Sequence, residues 1–211
     1  RAQTGVWFAQ QLTPDNPIFN TSECLELRGS VDADALVVAV RRAADDCEAL
    51  VAAFETQPDG TVVQFPGRRQ LGDPPVVDVR GTPDPWVAAH EWMTNDLARA
   101  IDPSVDVCLR AAVLRLADDR VVLYVCGHHL VFDAFGFSLF NRRIGEHYTA
   151  LVAGTEPPAP RFAPVEPVVR EEESYRESDA FAADRAFWAD YLADVEEAVA
   201  LSPGASGIAR R

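Results

Sequence analysis

Apolar and polar positions along this chain switch between two periods, and the switches mark its elements. The opening "AQTGVWFAQQL" sets Val6, Trp7, Ala9 and Leu12 at helical spacing, with the polar Gln10 among them, and stops at the turn cluster "TPDNP". "TSECLELRG" alternates with period two and reads as a strand closed by Gly29. Asp32 or Asp34 can cap a helix running to about Asp46, with Leu36, Val37, Val40 and Ala44 on one face. "ALVAAF" and "TVVQF" flank "ETQPDG" as a hairpin, and "PVVDV" is a short strand. Asp84-Pro85-Trp86 opens a helix to about Ala100, with aspartate at the cap and proline in the first turn. "VCLRAAVLRLA" and "RVVLYVC" flank "DD" as a second hairpin, and a helix follows from about Phe135 to Ala153, closed by Gly154.

Beyond Gly154 the pattern changes. The stretch from Thr155 to Val168 holds five prolines and predicts an extended connector without a regular helix. Helical spacing resumes in "EEESYRESDAFAADRAFWADYLADV", with Phe181, Trp188 and Leu192 on a common face. The acidic run Glu171–Glu173 reads as a solvated face or a helix start. Strands mixed with helices, and several hairpins, predict an α/β fold of the α+β type. Its sheet is mixed and largely antiparallel, with helices packed on it. The first 154 residues form one body, and the segment beyond the prolines begins another.

Composition narrows the classes. With 211 residues, 48% of them hydrophobic, the chain can bury a substantial core. No apolar run approaches the roughly 20 residues of a membrane span, and no basic-then-apolar opening suggests a secretory signal. A formal net charge of −14 argues against binding nucleic acid by neutralising phosphates. All 19 basic residues are arginine, which points to codon usage and not to chemistry. Cys24, Cys47, Cys108 and Cys126 match no zinc spacing. They are expected to be reduced core residues of a cytoplasmic protein.

One stretch carries candidate chemistry: "CGHHLVFDAFG", residues 126–136, which holds two of the four histidines. An extended chain points successive side chains to opposite faces. His128 and His129 are therefore expected to diverge, one facing a cavity and the other the protein, which disfavours a shared metal. A proton-handling or orienting role for one imidazole fits better. Asp133 is placed to shape the following turn or to meet a cation. The plain alternative is a pair of satisfied histidines at a strand end, and it is weakened by the aspartate at a strand-to-helix junction.

"HHLVFDA" resembles the HHxxxDG motif of the chloramphenicol acetyltransferase-like superfamily. Within it, the chain most resembles condensation domains of nonribosomal peptide synthetases. The opening "AQTGVWFAQQLTPDNPIFN" is similar to their first core motif, and "DCEALVAAF" to their second. "IDPSVDVCLRAAVLRLADD" is similar to the segment before the motif strand, and "YRESDAFAADRAFWADYLAD" to the start of the second lobe. The resemblance implies a chloramphenicol acetyltransferase-like N-terminal lobe with its proline-rich connector over residues 1–168. It also implies a truncated start of the second lobe over 169–211.

The resemblance further implies amide bond formation. An aminoacyl thioester on a downstream peptidyl carrier protein would attack an acyl or peptidyl thioester on an upstream one. Both substrates would ride on phosphopantetheine arms, with no directly bound cofactor and no metal. Implied partners are the two carrier proteins, an adenylation domain and the missing C-terminal lobe, without which this chain alone is expected to be inactive. The same resemblance makes His129 catalytic, by removing a proton, orienting the amine or stabilising the tetrahedral species, and makes His128, Asp133, Ala134 and Gly136 structural. The motif glycine is Ala134 here, which matters if that position needs positive φ. The arginine that usually pairs with the motif aspartate is Val51, and the preceding Arg and His are Asp46 and Cys47; Glu48, Leu50 and Phe54 match. Asp133 then needs another cation, backbone N–H groups or water. Two alternatives stay open: a stand-alone acyltransferase of the superfamily, and a degenerate, non-catalytic docking domain.

Overall fold

The structure, a computed structural model, describes residues 2–194 and divides into two units, Arg1–Val165 and Glu166–Arg211. In the first unit the order is α1 (Ala2–Leu12), β1 (Asn20–Arg28), α2 (Ala33–Asp45), β2 (Ala53–Thr56), β3 (Val62–Phe65) and β4 (Val76–Asp78). Then come α3 (Pro85–Leu97), β5 (Leu109–Ala117), β6 (Arg120–His128) and α4 (Ala134–Ala153). The four-stranded sheet runs β1-β6-β5-β4, antiparallel except for the parallel β4–β5 pair, and β2–β3 is a separate hairpin. This is the mixed, largely antiparallel α/β architecture that the alternation predicts.

The near-continuous apolar runs of β5 and β6 follow from burial on both faces. Odd-numbered positions such as Val113, Leu123 and Val125 pack in one core with Leu36 and Val40 of α2 and Phe140 and Ile144 of α4. Even-numbered positions such as Leu114, Val122 and Tyr124 pack in another with Ala89 and Met93 of α3. A third cluster joins Trp7 of α1 to Phe54, Cys108 and Leu130. Phe140, with no exposed surface, contributes about 2–3 kcal/mol by the area it removes from water.

The helix ends obey their local chemistry. Asp32 caps α2 through Ala35 N at 2.9 Å, and Asp84 caps α3 through Trp86 N and Val87 N. Gly154 closes α4 at φ 65°, in the left-handed region that favours glycine. Some expectations shift. The strand expected from Ala49 starts only at Ala53, because Cys47–Val51 form a turn with Leu50 N bonded to Cys47 O. Cys24 is exposed, on β1 at the edge of the described sheet, whereas Cys108 and Cys126 are buried.

Helix also intrudes on the proline-rich stretch. α5 (Val165–Arg176) begins inside it, with Pro167 in the first turn, where a missing N–H breaks no helical bond. The connector ahead of it is tied down within the first unit: Val165 N donates to Glu48 Oε1 at 2.6 Å, and Arg143 Nη1 to Pro158 O at 2.6 Å. In the second unit α5 stops before Ser178, which caps α6 (Asp179–Tyr191) through Phe181 N. Trp188 and Leu192 are 56% and 52% exposed. Among the described residues no helix is long and apolar enough to cross a membrane.

Candidate active site

β6 ends at His128, and α4 begins at Ala134; the five residues between them form the site. His128 still belongs to the sheet: it pairs with Asn20 of β1, and its N–H donates to Cys108 O at 2.9 Å. Its ring has no exposed surface. Nδ1 accepts from Leu130 N at 3.1 Å and Nε2 meets Gln10 Oε1 at 3.2 Å. The Gln10 amide nitrogen donates to the carbonyls of Thr13, Pro14 and Asn16, so Oε1 is the end turned to the histidine. His128 is therefore neutral, with its proton on Nε2. Burial, with the neighbouring His129 adding to it, pushes its pKa down to about 4.

His129 faces the other way and is exposed. Its main-chain N–H donates to Phe19 O at 2.7 Å. Its ring Nδ1 lies 2.6 Å from Phe132 O. A carbonyl can only accept, so Nδ1 carries the proton and the Nε2 lone pair is left toward solvent. The two imidazoles thus diverge, and both nitrogens of His128 are engaged. Among the described residues no group of three or more His, Cys, Asp or Glu could hold a metal ion.

Asp133 caps α4: its Oδ1 accepts from Gly136 N at 2.7 Å, and it is otherwise exposed. Among the described residues it joins no ion pair. Of the expected partners for Asp133, the structure shows a backbone N–H, that of Gly136. Val51 lies in the apolar core at 3% exposure. Ala134 is the first residue of α4, and among the described residues no non-glycine has positive φ, so alanine is unstrained there. Asp46 has a new role: its Oδ2 accepts from Arg143 Nε at 2.6 Å and from His147 Nε2 at 2.7 Å, joining the end of α2 to the middle of α4.

Sequence reasoning named the histidines but not their supports. Gln10 was visible as a polar residue within an apolar helical stripe. Gly127, inside a strand, carried the usual signal of close approach by another group. Phe132 carried no signal of its own.

The condensation domain family model matches residues 1–209. The chain belongs to the condensation domain family. It is 37% identical over 203 residues to a dimodular nonribosomal peptide synthase of Bacillus subtilis, covering 95% of this chain and 8% of that protein. It is 38% identical over 200 residues to an isonitrile lipopeptide synthase of Streptomyces coeruleorubidus, covering 92% and 13%. Among solved structures, the first condensation domain of the CDA synthetase superposes with a TM-score of 0.85 at 30% identity, covering 95% of this chain and 51% of that one. The starter condensation domain of rhizomide synthetase gives 0.84 at 29%, covering 90% and 46%. The chain thus spans about half of the solved condensation domains that it matches, and a small part of the synthases. In family terms, the exposed imidazole is the second histidine of the motif, and the buried one is the first.

Proposed function

We propose that this chain supplies the motif half of a condensation domain that forms an amide bond between two carrier-bound thioesters. Residues 1–168 would be its N-terminal lobe, and 169–211 the start of its second lobe. The observation that carries the reading is the state of His129: exposed, in the loop between β6 and α4, with Nδ1–H held by Phe132 O. An imidazole so held can accept an N–H of an attacking α-amine through Nε2. The amine lone pair forms the new C–N bond to the thioester carbonyl carbon. As the C–S bond breaks, the proton given up by nitrogen ends on the departing sulfur. Because an α-amine is already partly neutral near pH 8, orienting it contributes as much to this reading as removing its proton. The Nδ1–H···O bond is kept whether or not Nε2 holds a proton.

The substrates would arrive on phosphopantetheine arms of upstream and downstream carrier proteins, the acceptor having been loaded by an adenylation domain. The 211-residue chain by itself is expected to form no product. The test uses the intact synthase with loaded carriers. His129→Ala should abolish peptide product while lowering the urea stability of the 211-residue chain by no more than about 1 kcal/mol, the loss of one hydrogen bond from an exposed ring to Phe132 O. Undiminished product from His129→Ala would overturn the assignment of His129 as the reacting imidazole, and absence of product from the wild-type synthase would favour the non-catalytic docking role.

A further inference from the structure

We propose that Phe132 is the positioning residue for His129, and that Gly127 and Gly136 form the slot that seats its ring. The inference rests on the reading of His129 as the reacting imidazole, and adds what holds that imidazole in one tautomer. Gly127 lies within β6 and Gly136 within the first turn of α4. Neither has positive φ, so neither is needed for its backbone conformation. The requirement is steric. A Cβ at Gly127 would stand 2.4 Å from Phe132 Cδ1 and 3.1 Å from its Cβ and Cγ. A Cβ at Gly136 would stand 3.1 Å from Cδ2, on the other edge of the same ring, and 3.2 Å from Asp133 Oδ1.

The remaining sides are also closed. The ring centroid lies 4.0 Å from that of Phe137 and 5.8 Å, edge-on, from that of Phe140. Phe132 is 4% exposed. A ring held between two glycines and two aromatic rings cannot shift without moving its own main chain. That main chain includes the carbonyl 2.6 Å from His129 Nδ1. Packing on the core side is thereby converted into the protonation pattern of a ring on the solvent side.

The experiment compares Gly127→Ala, Phe132→Ala and the double variant in the full chain, by urea denaturation and by ¹⁵N NMR of the His129 ring. The wild type should show one tautomer, with the proton on Nδ1. Gly127→Ala and Phe132→Ala should each move the Nδ1-H to Nε2-H ratio by about tenfold, as expected when one hydrogen bond is lost or lengthened. Gly127→Ala should destabilise the wild type more than the Phe132→Ala background, because the ring atoms it meets are gone and only Phe132 Cβ at 3.1 Å remains. If Gly127→Ala does not fold, Phe132→Leu, which keeps an apolar side chain and removes the ring, gives the same tautomer reading. Loss of stability with the His129 tautomer unchanged would overturn the proposal. Condensation by the intact domain separates it from the reading beneath it: a shifted tautomer with full activity leaves the slot standing and removes His129 from the chemistry.

Discussion

Lowering the pH should unfold this chain through His128, and the size of the effect follows from the structure. The ring is fully buried, and its Nδ1 accepts the N–H of Leu130. Protonating it would charge a group away from water and set two N–H groups against each other. Its folded pKa is accordingly pushed down to about 4, against an ordinary value of about 6.5 for an unfolded histidine. A depressed folded pKa gives stability that is complete above pH 6.5 and is lost as pH falls toward 4, because the unfolded chain binds the proton first. Linkage over that window predicts a loss of about 2 kcal/mol by pH 5 and about 3 kcal/mol by pH 4. The assay is urea denaturation of wild type and His128→Phe from pH 7.5 to pH 4. Carboxylates and the other histidines titrate in both proteins, so the difference between the two curves isolates His128. His128→Phe should be the less stable at neutral pH, since it leaves Gln10 Oε1 and Leu130 N unpaired. It should gain on the wild type steadily below pH 6.5. A difference that stays constant from pH 6.5 to pH 4 would show that His128 is not held neutral, and would remove the tautomer assigned to it.

Asp133→Ala should cost about 1 kcal/mol in urea denaturation, the usual loss for a helix cap, while Asp133→Asn stays within a few tenths; an equal loss in both would mean that the charge matters and the cap does not. Val51→Arg, which restores the family letter, should lower stability by about 3 kcal/mol, because it places a guanidinium in an apolar core at a site 3% exposed. An unchanged urea midpoint would show that the new side chain finds a partner or reaches water.

Elements whose faces differ were legible in the sequence. The α2 stripe, the β5–β6 hairpin and the Asp84-Pro85 helix start carry their signals within a few residues, and the structure places them within one to three residues of the expected ends. The turn at Cys47–Val51 was not legible, because Leu50, Val51 and the following Ala52 are buried apolar residues and read as strand. Pro167 hid the start of α5, since a proline in a first turn and one in a linker look alike without the neighbouring backbone. At the site, strand alternation foretold the divergence of His128 and His129. The tautomer of each was beyond reach, because it depends on Gln10 Oε1, 118 residues away, and on a main-chain carbonyl that has no letter in the sequence.

Coarse and fine placement of the motif loop rest on different contacts. Position 51 is an apolar valine, and a charge pair joins the segment just before it to α4: the acid is Asp46, and the base is Arg143. Arg143 is 5% exposed on its side chain and also bonds Glu146 and Pro158 O, so its donors are largely satisfied without water. Removing Asp46 would leave the buried Arg143 guanidinium short of a partner, which is costly. The pair fixes α4 against α2 at a point nine residues, or about 14 Å, along the helix from Ala134. A stiff helix carries position over that distance. It cannot carry the choice of which imidazole nitrogen holds a proton, because that depends on an acceptor placed within a few tenths of an ångström of the ring. Coarse placement of the loop can therefore rest on Asp46 and Arg143, remote from His129, and can change partners without altering the chemistry. Fine placement must be local, which is why it falls to the Asp133 cap and to the Phe132 ring, whose neighbour at 127 has no room for a methyl group and whose neighbour at 136 has little.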